Sequence, residues 1–219
     1  MTIQILKKTG TALLGGAVFF NSLLIGLPSV TAVEFSSPDT EGPARRVGGG
    51  VRGTLDSKAT CVTDDRQELT ALLPKTEVSL TTQEYPMFFW YVPPASPTMI
   101  EFALIDDSNG QIIYQTKVKT DAAVGIISLS LPENSGLPPL EIGKDYYWSF
   151  SIMCDPLNWR VNPTVEGLIR RVEPSANLMQ NLTEADGIER VAVYANAGIW
   201  HDTIAELATL RRSNPNDTQ

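Results

Sequence analysis

Histidine and cysteine are almost missing: the 219 residues hold one His, His201, and two Cys, Cys61 and Cys154. That scarcity excludes a Cys/His zinc site and the usual multi-His catalytic metal centres. Positive charge is short as well, with 17 Lys and Arg against 25 Asp and Glu for a net charge of −8. A nucleic-acid binder takes most of its affinity from cations facing phosphates, so that partner is set aside. Motifs for phosphate and nucleophile chemistry are also lacking. Gly48-Gly49-Gly50 is not followed by the Gly-Lys-Ser/Thr of a P-loop, and there is no Gly-x-Ser-x-Gly elbow. Catalytic, cofactor-binding and metal-binding residues are therefore all expected to be absent.

A long apolar stretch occurs only near the start. Lys7 and Lys8 precede a run from Leu13 to Leu27, interrupted by Gly15, Gly16, Asn21 and Ser22. Pro28 then breaks any helix, and Val30-Thr31-Ala32 offers the small residues a signal peptidase reads. The competing reading is a retained anchor, but the run is shorter than the ~20 residues that span a bilayer. Residues 1–32 are thus expected to be a signal peptide cleaved near Ala32. The mature chain would be periplasmic or secreted, with no stable membrane anchor. Cleavage removes two Lys and no acid, leaving 187 residues at −10, enough for one domain with an appendage. An oxidising destination favours a disulfide between Cys61 and Cys154.

Residues 33–66 are rich in Pro, Gly, Ser and charge without apolar periodicity, and read as an exposed or loosely docked arm. Arg45, Arg46 and Arg52 flank its glycines. Either they decorate a plain turning segment, or they dock on a carboxylate-rich surface.

Residues 67–173 follow a period of two, the pattern of half-buried strands. Ile100, Phe102 and Leu104 alternate with Met99, Glu101 and Ala103; Asn109-Gly110 supplies a hairpin turn; Ile112 to Val118 return. Tyr146, Trp148, Phe150, Ile152 and Cys154 share one face of a later strand. About seven short strands with no helices between them predict an antiparallel sandwich. Leu140-x-x-Gly143-x-x-Tyr146 has the spacing of a tyrosine corner, and Trp90 falls where such domains place a core Trp. The region resembles a fibronectin type III or immunoglobulin-like sandwich. That likeness puts Trp90, Tyr146, Trp148 and Phe150 in the core, and Cys154 at the end of the sixth strand.

Residues 174–219 change to helical spacing, with Leu178 and Leu182 four apart and Ile188, Val191 and Tyr194 on one stripe. Gly198 interrupts, and Ile204 and Leu207 mark another helix before Asn214-Pro215. Tyr194, Gly198, Trp200, Leu207 and Pro215 keep the spacings of one tetratricopeptide repeat, while Val191, Thr203 and Leu210 depart from it. A stacked array needs about three repeats. A lone hairpin packing on the sandwich, or a half-groove completed by a partner, is expected.

Several segments taken in order, Arg45-Arg46-Val47-Gly48-Gly49-Gly50-Val51-Arg52-Gly53, Leu69-Thr70-Ala71-Leu72-Leu73-Pro74, Phe89-Trp90-Tyr91-Val92-Pro93, Tyr147-Trp148-Ser149-Phe150, Val165-Glu166-Gly167-Leu168-Ile169-Arg170-Arg171 and Gly198-Ile199-Trp200-His201-Asp202, resemble the cyanobacterial family catalogued as domain of unknown function 928. The resemblance runs from about Pro43 to Asp217. It implies an exported cyanobacterial protein, with no assigned activity and no catalytic residues to carry over.

Chemistry has few candidates. His201 precedes Asp202, but neighbours on a helix point in different directions, and a solvated or first-turn His is expected. Asp106 and Asp107 enter the Asn-Gly turn, where Asp serves local hydrogen bonding better than glycoside hydrolysis. Tyr85, Phe88, Tyr91, Tyr147 and Trp159 cannot all face the core; an exposed strip of them would fit sugar stacking or a protein interface, and the helices are expected to cover it. Arg160, Arg170 and Arg171 are expected in surface ion pairs. The leading expectation is a non-catalytic binding or assembly module with a protein partner in the cell envelope, Arg45, Arg46, Arg52, Tyr91, Trp159 and Trp200 being candidate contacts. Polysaccharide is the second candidate partner. The alternatives are a carboxylate-dependent hydrolase and a carbohydrate-binding module.

Overall fold

Eight strands and three helices follow one another in the computed structural model, which describes residues 33–38, 61–62, 67–75, 78–95, 98–120, 124–155, 157–158 and 161–215. The signal-peptide reading of 1–32 and candidate contacts Arg45, Arg46, Arg52 and Trp159 lie outside the described residues, as does Arg160. Among the described residues no helix is long and apolar enough to cross a membrane.

The strands are β1 (Thr70–Ala71), β2 (Ser79–Thr81), β3 (Met87–Val92), β4 (Thr98–Asp106), β5 (Ile112–Thr120), β6 (Gly125–Ser130), β7 (Asp145–Met153) and β8 (Thr164–Arg171). They form two sheets, β1-β3-β6 and β2-β8-β7-β4-β5. Alternation decides the packing. Phe88, Trp90 and Val92 of the smaller sheet meet Phe102, Leu104, Tyr146, Trp148, Phe150 and Ile152 of the larger one in a single core. Trp90 stacks on Phe150 at 4.2 Å, and Trp148 meets Trp90 edge-on at 5.8 Å. Such aromatic contacts add to the area term that drives the sheets together.

The tyrosine corner is present. The Glu141 amide donates to the Tyr146 hydroxyl at 2.9 Å, and Gly143 has a φ of 78° at the bend before β7. Between β4 and β5, Gly110 takes the left-handed turn position at φ 74° and its amide donates to Asp106 O at 2.8 Å. Five residues separate the strands, so the Asn-Gly hairpin closes on a wider loop than the two-residue form.

The sandwich is not purely antiparallel: β2 runs parallel to β8, with Ser79 opposite Ile169 and Thr81 opposite Arg171. The chain leaves β1 in the small sheet and crosses to the edge of the large one, where it lies alongside β8. Cys154 also follows the seventh strand, not the sixth, because the three-residue β2 adds to the count.

After β8 come α1 (Ala176–Glu184), α2 (Gly187–Asn196) and α3 (Trp200–Ser213), three helices where a lone hairpin was expected. Ser175 caps α1, its hydroxyl accepting from the Leu178 amide. Leu178, Tyr194 and Ile199 pack with Leu80 of β2 in a second apolar cluster. Helix α3 lies against both β2 and β3, one strand from each sheet.

Candidate functional site

The junction where the helices meet the two sheets concentrates buried polar side chains: Ser79, Thr81, His201, Asp202 and Thr203. Trp200, His201 and Asp202 open α3, and each reaches a different part of the fold. The Trp200 indole donates to Leu72 O at 2.8 Å, just past β1. His201 Nε2 lies 2.8 Å from Ser79 Oγ on β2, and its Nδ1 lies 3.1 Å from Met87 O at the start of β3. The Asp202 carboxylate accepts from the Thr81 hydroxyl at 2.7 Å, from the Thr82 amide at 3.0 Å and from the Thr82 hydroxyl.

Burial sets the electrostatics. His201 is 4 % exposed, so the expectation of a solvated His fails, although the residue does sit in the first turn of α3. The helix covers the edge of β2 and takes the ring inside with it. Desolvation pushes the imidazole down to about 4, against a small opposing effect of Met87 O. Desolvation raises the Asp202 carboxyl, and the Thr81 and Thr82 hydrogen bonds oppose it. Ser79 Oγ also lies 2.8 Å from Leu168 O. One hydroxyl proton and one ring proton cannot serve Met87 O, Leu168 O and the Ser79–His201 contact together.

A Ser–His contact at 2.8 Å is the distance of a nucleophile and its base. Here Ser79 is 3 % exposed, and the Asp202 carboxylate turns to Thr81 and Thr82 rather than to the ring. The trio is a polar clasp between elements and does not have the Ser-His-Asp arrangement.

Asp106 likewise belongs to its turn. It accepts from the Ser108 amide at 3.0 Å, the Ser108 hydroxyl at 2.6 Å, Asn109 Nδ2 at 3.0 Å and Lys144 Nζ at 2.8 Å. These bonds, Lys144 foremost, bring its carboxyl down to about 2.

Beside the clasp lies an N-terminal segment. Phe35 meets the Trp200 ring edge-on at 4.8 Å, and the Ser36 amide donates to Ala195 O at 3.0 Å. Gly198, between α2 and α3, has a φ of 73°, and a Cβ there would stand 2.9 Å from both Pro38 Cδ and Ser36 O. Glycine is required twice over, for the backbone angle and for the segment above it. Residues 33–38 therefore dock on the helical turn by main-chain and ring contacts.

The other sequence candidates are dispersed. Tyr91 is half-buried on the outer face of the small sheet, opposite Thr70 and Ile126, with its hydroxyl bonded to Gln67. Tyr147 lies on the outer face of the other sheet, and Phe88 is inside the core beside Trp90. The described aromatics thus form no single strip. Cys61 and Cys154 are joined, with Cα atoms 5.2 Å apart, and Asn162 Oδ1 accepts from the Cys154 and Asp155 amides behind the bond. Arg170 pairs with Asp145 at 2.5 Å and Arg171 with Glu84 at 3.0 Å; both arginines are part-buried and only Glu84 is exposed, so these are not the plain surface pairs expected. Ser79, Thr81 and Phe35 had no signal in the sequence linking them to Trp200, His201 or Asp202; Gly198 did, through the repeat spacing and the Gly198–Asp202 motif.

The family model described as Domain of Unknown Function (DUF928) matches residues 47–219, which include the disulfide, both sheets and all three helices. The chain belongs to the DUF928 family. No curated protein matches this DUF928 chain. Among solved structures, a chain of the ZIG-8–RIG-5 IG1–IG1 heterodimer is similar at 16% identity and a TM-score of 0.29, over 46% of the DUF928 chain and 85% of that one. CopC from Methylosinus trichosporium OB3b is similar at 13% identity and a TM-score of 0.28, over 47% and 96%.

Proposed function

We propose that this DUF928 chain is an exported, non-catalytic binding or assembly module whose partner is a protein. The carrying observation is the docked segment: the α2–α3 turn and Trp200 already hold a short stretch of polypeptide by one main-chain hydrogen bond, one ring contact and a glycine left bare beneath a proline. Those are the means by which peptide-recognition surfaces work. The tyrosine corner and the division of strands between two sheets support the fibronectin type III or immunoglobulin-like reading of the sandwich. The spacing of Tyr194, Gly198, Trp200, Leu207 and Pro215 supports a repeat-like α2–α3 pair. Export is supported by the Lys7-Lys8 and Leu13–Leu27 pattern together with the disulfide.

The hydrolase and sugar-binding alternatives have less behind them. Ser79 and His201 are buried, and Asp106 is taken up by its turn and Lys144. Tyr91 and Tyr147 face away from the sandwich on opposite sides. Affinity capture from periplasm and cell envelope with the exported chain as bait tests the reading. A stoichiometric protein partner lost on Trp200→Ala supports it. Retention on polysaccharide with no protein partner, or turnover of a glycan or peptide, overturns it.

A further inference from the structure

Among the described residues, the segment seated on the α2–α3 turn is the chain's own residues 33–38, and a second copy carries the same peptide. We propose that this segment also docks in trans, on the α2–α3 turn of a second copy, so that molecules associate by passing an N-terminal arm from one to the next; the inference rests on the binding-module reading above.

Three observations carry it. First, what holds the arm comes from the helical turn itself: Trp200 for Phe35, Ala195 O for the Ser36 amide, and the bare Cα of Gly198 for Pro38. A second copy presents the same groups, so nothing new has to be built. Second, the hold is thin. Val33, Glu34, Ser36 and Ser37 are exposed, and only Phe35 and Pro38 are half-buried. Third, the connection is long: 22 residues separate Pro38 from Cys61, where the disulfide fixes the chain to the sandwich. At full extension they reach roughly 75 Å. A domain of this size has a radius of gyration of about 16 Å, so the arm can reach a neighbour's turn. Within one molecule the competing effective concentration is of millimolar order. The cis arm therefore wins in dilute solution, and the trans arm gains wherever copies are crowded or the cis arm is displaced.

Complementation removes the cis competitor. Phe35→Ala cripples the arm and leaves the turn intact; Gly198→Ala blocks the turn with a methyl group and leaves the arm intact. Both are made in the full exported chain and mixed at about 0.1 mM, below the cis effective concentration. Native mass spectrometry should find the heterodimer in roughly tenfold excess over either homodimer, and a chain carrying both substitutions should not pair at all. Should Gly198→Ala fail to fold, Trp200→Ala takes its place as the blocked turn. A mixture that stays monomeric overturns the proposal, as does a dimer that survives in the doubly substituted chain. If exchange fails while Trp200-dependent capture of an envelope protein persists, the binding-module reading stands and only the trans arm falls.

Discussion

His201 carries its burial as a pH dependence. In the unfolded chain the imidazole titrates near 6.5, and in the fold desolvation brings it to about 4. Between those values the unfolded state binds the proton and the folded state does not. Stability is therefore full above pH 6.5 and falls as pH drops toward 4, by roughly 3 kcal/mol from this group. Asp202 has the opposite sign: desolvation raises its folded carboxyl above the unfolded 3.8, so its contribution declines as pH rises from 3.8. Asp106 is lowered to about 2, and its contribution is lost only as pH falls from 3.8 toward 2, below the histidine window. Urea midpoints measured from pH 7.5 to 4.5 should fall for the native chain and stay flatter for His201→Gln. Parallel profiles would remove His201 as the cause. A second single-residue test is Gly167, directly across from Trp148 in the β7–β8 register. A Cβ there would meet Trp148 Cζ2 at 2.5 Å and Cε2 at 2.7 Å. Gly167→Ala should cost about 1–3 kcal/mol with a changed near-ultraviolet tryptophan signal; an unchanged midpoint would mean that the indole moves freely. An isolated glycine inside a strand pattern can signal a close approach, but nothing in the sequence names Trp148 as the residue that approaches. The burial of His201 was not legible either, because its partners Ser79 and Met87 lie more than a hundred positions away.

At the level of elements the question is how three of the four sheet edges, those of β1, β5 and β2, are kept from pairing with another chain. β1 is two residues long, and β5 carries Lys117 and Lys119. Both are recognised ways to blunt an edge. The β2 edge is instead covered by α3, and Asp202 supplies the acceptors that the Thr81 hydroxyl and the Thr82 amide and hydroxyl would otherwise lack. Asp202→Ala should therefore cost about 1–3 kcal/mol, since it leaves the buried Thr81 hydroxyl and the part-buried Thr82 donors unpaired. The loss should concentrate at one seam, with amide exchange at Thr82 accelerating before that of β4 and β7. Uniform acceleration would instead assign Asp202 to global stability. The long strands and the tyrosine corner were readable because period two and the Leu140–Tyr146 spacing are local properties. β2 escaped because three residues, Ser79-Leu80-Thr81, show too little alternation to register, and its direction depends on the crossover between sheets.

Taken as a whole, Val33–Gln219 forms one compact unit. The stretch from Pro38 to Cys61 is tied at both ends, on the helical turn by residues 33–38 and on the sandwich by Cys154. The disulfide was legible from arithmetic alone, because two cysteines offer one pairing; the docked segment was not, because Phe35 has no periodic neighbours to mark it. The two ties differ greatly in strength. The covalent one closes a loop spanning a sequence separation of 93, which the chain-entropy model values at about 4–5 kcal/mol. The non-covalent one rests on a single main-chain bond and a ring contact worth about 1 kcal/mol each. Paired Cys61→Ser and Cys154→Ser substitutions should lower the unfolding free energy by about 4 kcal/mol, measured by denaturant titration. Phe35→Ala should lower it by about 1 kcal/mol and, because Trp200 loses its ring partner, shift tryptophan emission without moving the core signal. If Phe35→Ala cost as much as loss of the disulfide, the segment would be a structural strand of the fold and unfit for exchange.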